Sequence, residues 1–157
     1  MPYNALNCLA KPLLKKALRW AALSLALNLV WEIAQFPLYA LAANPSALGV
    51  AYAVMHCTVA DVIIAVAGFV LAGFALRDPD WTSSRPWTGG AIATAFGLIY
   101  TAYSEWVNVY QVGSWGYAPD MPLVFGIGVS PLLQWLVVPL LTLSIFRMRT
   151  HRRAMLS

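Results

Sequence analysis

Residues 50–76 read VAYAVMHCTVADVIIAVAGFVLAGFAL, with Asp61 the one charged residue in the stretch. A helix needs about 20 mostly apolar residues to cross a ~30 Å hydrocarbon core, and this run exceeds that. Three more runs of the same character lie at 20–41, 90–111 and 123–146. None shows the strict alternation of a barrel strand. Lipid also forbids unpaired backbone groups, so helices are the expected form. The predicted fold class is all-α: one polytopic membrane domain over residues 1–157, built as a four-transmembrane-helix bundle.

The composition excludes the other broad classes. Hydrophobic residues make up 61% and charged ones 10% of the chain, where a soluble domain has about a quarter charged. A chain of 157 residues cannot hide that much apolar surface from water, and a mean hydropathy of +0.68 is foreign to disordered chains.

All ten Lys and Arg fall in three segments: Lys11 to Arg19, Arg77 to Arg85, and Arg147 to Arg153. With four crossings these segments share one side, so the positive-inside rule predicts both termini in the cytoplasm; the plasma (inner) membrane is the expected location. The net charge of +4 then faces anionic lipid, and no nucleic-acid partner is expected. Ala40-Leu41-Ala42 resembles a cleavage site. The run before it, however, contains Asn28, Glu32 and Gln35, so it reads as a retained helix rather than a signal peptide. Cys8 and Cys57 fall at different depths, which excludes a disulfide between them.

Pro12 is expected to break any long helix in the 1–16 tail. Ala43-Asn44-Pro45-Ser46 reads as a turn. Trp20, Trp81 and Trp87 suit an inner aromatic belt, and Tyr39, Tyr52, Tyr110, Trp115 and Tyr117 an outer one. In the last run, Ser130 and Pro131 read as an N-cap and first-turn proline, leaving 121–129 as an irregular outer segment. Pro139 predicts a kink. Ala93, Gly97 and Thr101 form a small-residue stripe suited to close helix packing. No clear internal repeat is present.

The remaining polar residues cluster by depth. At 1.5 Å per residue, Glu32 lies about 13 Å inside the outer end of its run, and His56 and Glu105 about 9 Å inside theirs. Asp61 and Gln134 lie near 16 Å. An ionisable residue at such depth costs about 2.5–3.5 kcal/mol or more and marks a functional site by default. Three carboxyl groups with no Lys or Arg alongside cannot all be ionised without partners. Glu32, Glu105, His56 and Asp61 are therefore the candidate catalytic residues. Gln35, Trp31, Tyr103, Trp106, Asn108, Gln134 and Trp115 are the candidate ligand-binding ones. Asn28, Gln35, Asn108 and Gln134 equally suit plain interhelical hydrogen bonding.

Three functions compete. The first is a pocket for an apolar small molecule, in which carboxyl groups move a proton on a lipid or isoprenoid. The second is a metal-dependent membrane enzyme. His56 and Asp61, however, stand about 140° apart on a helix, and no Glu-x-x-His pair exists, so no metal ligands and no cofactor are assigned. The third is a non-catalytic accessory or assembly subunit. The partners expected are the lipid bilayer and an apolar small molecule, with a homodimer or larger membrane complex as the assembly.

Trp31-Glu32, Asp61 and the aliphatic run Val137-Val138-Pro139-Leu140-Leu141 resemble features of the EXPERA group, which includes emopamil-binding sterol isomerases and sigma-2 receptor relatives. The resemblance spans most of the four runs. It implies a four-helix fold and a ligand or isomerisation site around the Glu and the acidic residue of the next helix. His56 and Asp61 stand where the isomerases carry a Met-Glu-Thr element.

Overall fold

The computed structural model describes residues 3–40 and 46–154, with side chains described over 13–40 and 46–148. Most of this chain is helical: α1 (Tyr3–Gln35), α2 (Ala47–Ala75), a single turn α3 (Trp81–Ser84), α4 (Pro86–Trp106) and α5 (Val129–Ala154). Three helices contain stretches long and apolar enough to cross a membrane, Leu13–Leu38, Ala47–Ala75 and Val129–Met148. α1 packs on α2, α2 on α4, α4 on α5 and α5 back on α1, closing a ring of four.

The ends of the helices follow from local chemistry. Pro37 has no backbone N–H to donate back along the helix, and α1 gives way at Gln35 to a 3-10 turn, Phe36–Leu38. Ser46 caps α2, its hydroxyl accepting from the Gly49 N–H at 3.1 Å. Pro86 opens α4 in the first turn, where its missing N–H costs nothing. α4 then widens into a π-helical stretch, Val107–Val112, that stops at Gly113 in the left-handed conformation with φ 71°. Wide turns of this kind recur at functional sites.

Two expectations about helix limits are corrected. α1 runs through Pro12 instead of starting after it. A proline removes one backbone hydrogen bond, a loss of about 3 kcal/mol that a 33-residue helix absorbs near its start. α5 begins at Val129, so Ser130 and Pro131 lie within its first turn and Ser130 does not cap it. The Ser130 hydroxyl donates instead to Gln35 Oε1 at 2.8 Å. The irregular segment expected before α5 is a tight hairpin pairing Leu123–Val124 with Ile127–Gly128, and α5 continues past Pro139. The Cys8 side chain and residues 41–45, which hold all of the expected first turn but Ser46, lie outside what the structure describes.

A second short ladder pairs Tyr39 with Tyr117 and Ala40 with Gly116, clasping the end of α1 to the loop after α4. At the opposite end, Lys16 pairs with Asp80. The Ser84 hydroxyl and the Asp80 N–H hold the Asp78 carboxyl below the usual carboxylate range. Successive helices therefore alternate in direction.

The core at this second end is aromatic. Trp20 and Trp81, read from the sequence as an interfacial belt, are 1% and 0% exposed. Trp20 lies 5.4 Å from Phe69, 5.6 Å from Trp81 and 6.1 Å from Phe146, centroid to centroid. Each indole N–H donates to an α2 carbonyl at 3.1 Å, Trp20 to Ala65 and Trp81 to Phe69, so the polar atom that suits an interface is satisfied internally. Trp87 alone of the three stays exposed, with Arg147 over its ring.

Candidate functional site

The face of α1 that turns into the ring carries Ser24, Asn28, Glu32 and Gln35, all buried. Their spacing of four, four and three residues keeps them on one stripe. Gln134 of α5 faces this stripe at 2% exposure. Its amide nitrogen donates to Asp61 Oδ2 at 2.7 Å, Asn28 Oδ1 at 2.9 Å and Glu32 Oε1 at 3.1 Å. Gln35 donates to Glu32 Oε1 at 2.7 Å and to Gln134 Oε1 at 3.1 Å. Its own carbonyl accepts from Trp31 at 3.2 Å and from Ser130. α1, α2 and α5 thus meet in one polar knot.

The carboxyl groups of Glu32 and Asp61 meet on one donor, the Gln134 amide nitrogen. At Gln134 three acceptors face an amide nitrogen with two protons, and a proton on either acid would supply a further donor.

Glu105 is held separately. Its Oε1 accepts from Tyr39 at 3.0 Å, and its Oε2 from Tyr117 at 2.8 Å and Trp115 at 3.5 Å. Three donors from two loops surround one carboxyl group, the donor set of an acceptor-only anion. The Tyr39–Tyr117 ladder positions both phenols, with ring centroids 5.8 Å apart. Tyr39, Trp115 and Tyr117 were read as outer-belt residues. The loops fold them back onto Glu105, and of that group Tyr52 and Tyr110 remain exposed.

Both acid sites face one cavity of about 290 Å³, close to the lower limit of ligand pockets, roughly 300 Å³. Glu32, Asp61, Glu105, His56, Gln35, Asn108, Gln134 and Trp115 all line it. The structure thereby brings together every candidate catalytic residue. His56 stands at the rim, exposed and stacked on Tyr52 at 5.7 Å. Tyr100 is exposed on the facing side, so the cavity reaches the surface between α2 and α4. No Lys or Arg is among the lining residues.

Three candidates do not line it. Tyr103 and Trp106 are 64% and 47% exposed, away from the cavity, because the face of α4 that carries Thr101 and Glu105 is the one turned inward. Trp31 acts from behind, through its bond to Gln35. The sequence reading missed Tyr39, Tyr100, Cys57 and Ser104 in the wall. Cys57 and Ser104 were legible as positions one turn from Asp61 and Asn108.

Among the described residues, no group of three or more His, Cys, Asp or Glu is arranged to hold a metal ion. The site as built offers carboxyl groups, amides, phenols and an indole N–H for hydrogen bonding. No family model, no curated protein and no solved structure matches this chain.

Proposed function

We propose that this is a four-span membrane protein, both termini cytoplasmic, that binds a lipid- or isoprenoid-type molecule in a cavity within the outer half of the bilayer. The fourth crossing is α4. Its 21 residues rise about 31 Å, enough for a ~30 Å core. Its polar residues Thr101 and Glu105 are buried toward the bundle, so its lower hydropathy reflects the cavity and not an aqueous position. Segregation of Lys and Arg to the Lys16–Asp80 end supports the orientation.

The observation that carries this reading is the convergence of Glu32 and Asp61 on one Gln134 amide in the wall of a cavity that no Lys or Arg lines. Bundle packing is served by Asn and Gln alone, whereas a carboxyl pair offers an acid and a base at one place. With Glu105 as a second acceptor, the site suits relocation of a double bond. The pair gives its proton to one alkene carbon, a carboxylate removes a proton from the allylic carbon, and no electrons are gained or lost. The partial likeness to EXPERA proteins points to the same substrate class.

Native mass spectrometry of protein extracted gently from its own membrane tests this. A bound small molecule that is absent from Glu32→Gln supports the pocket, and its mass identifies the ligand. Retention of a protein partner with no small molecule overturns it and makes the chain an assembly subunit.

A further inference from the structure

At the opposite, basic end a second cavity of about 420 Å³ lies between Leu13 of α1 and the last turns of α2. Its walls are apolar, and two of them, Val70 and Phe74, are 56% and 84% exposed. The groove therefore opens along the outer surface of the bundle. Arg77 and Asp78 close its lower edge.

Arg77 occupies an unusual place. The Asp78 N–H donates to the Gly73 carbonyl at 3.0 Å and the Arg77 N–H to the Phe74 carbonyl at 3.1 Å, the paired bonds of a helix end at which glycine is the usual residue. Arg77 has φ 50° there, a left-handed conformation that L side chains rarely adopt. Among the described residues its guanidinium has no ion pair or hydrogen bond. The neighbouring acids are engaged elsewhere, Asp80 by Lys16 and Asp78 by Ser84 and the Asp80 N–H. An apolar trough thus ends on the unpaired Arg77 guanidinium, with the Asp78 carboxyl turned to its own hydrogen bonds, at the end of the bundle where the basic residues gather.

We infer that this groove binds an anionic glycerophospholipid, an acyl chain lying along Val70 and Phe74 and the phosphate on Arg77. Basic pockets at this level of membrane helices take anionic head groups. A zwitterionic head group would bring a competing cation to the guanidinium. The inference requires that the helices cross a bilayer and is independent of the acid cavity.

The test uses the full chain in neutral detergent, titrated separately with phosphatidylglycerol and phosphatidylcholine and read by native mass spectrometry. Wild type should prefer phosphatidylglycerol. Arg77→Gly suits the backbone at that position, so folding is retained, while phosphatidylglycerol binding falls roughly five-fold and phosphatidylcholine binding stays unchanged. Arg85→Gln, a cation outside the groove, should leave both unchanged. Equal binding of the two lipids by wild type, wild-type affinity in Arg77→Gly, or an equal loss in Arg85→Gln would each overturn the site.

Discussion

Gln134 holds the acid pair in place, and the chemistry of single side chains decides how substitutions at this knot behave. In Glu32→Gln, the new carbonyl still accepts from Gln35 and Gln134, and the new amide N–H can donate toward Asp61. The knot's hydrogen bonds survive, yet an amide cannot give up a proton as a carboxylic acid does. Glu32→Leu instead leaves one Gln35 N–H short of an acceptor in a buried setting, at about 1–3 kcal/mol, while Gln134 keeps Asp61 and Asn28. The expected result in detergent is a Glu32→Gln melting temperature close to wild type and a clearly lower one for Glu32→Leu. Equal losses in both would show that charge, not hydrogen bonding, holds the knot.

At the scale of elements, α4 sits close to α5 because Gly97 lies beneath the Trp135 ring, where an added Cβ would overlap it. Gly97→Ala gains about 1 kcal/mol in helix propensity, but the clash with a rigid, buried ring costs about 1–3 kcal/mol, so the clash wins. At Gly73 an added Cβ would meet Trp81 Cδ1 at 3.5 Å, an ordinary contact, so propensity wins there. Thermal melts should rank Gly97→Ala below wild type and Gly73→Ala level with it or above. The stripe of Ala93, Gly97 and Thr101 was legible as packing from spacing alone, as was the common depth of Glu32, Asp61, Glu105 and Gln134, because a helix converts residue number into distance. The roles of the aromatic residues were not legible. An indole at the end of an apolar run looks the same whether it meets head groups, as Trp87 is free to do, or turns inward onto a backbone carbonyl, as Trp20 and Trp81 do. Tyr39 and Tyr117 were misread for a related reason: their partner, Glu105, reaches them only through a ladder between loops far apart in sequence.

For the whole molecule, the two clasps fix which connections lie together. Lys16 with Asp80 and Trp20 with Trp81 gather the early part of α1 and the α2–α4 connection at one end. The Tyr39–Tyr117 ladder gathers the α1–α2 and α4–α5 connections at the other. If all four helices cross the bilayer, Ser83 and Ser114, both exposed, must lie on opposite faces. Charge decides which is which, since every Lys and Arg belongs to the Ser83 side. Single cysteines at these positions, in a background of Cys8→Ser and Cys57→Ser, read this directly with a membrane-impermeant maleimide. Ser114→Cys should label on intact cells and Ser83→Cys only after lysis. The reverse pattern would invert the protein and place the acid cavity in the cytoplasmic half. Labelling of both positions from one side would remove α4 from the spanning set, leaving Glu105 and its cage on a helix that does not cross.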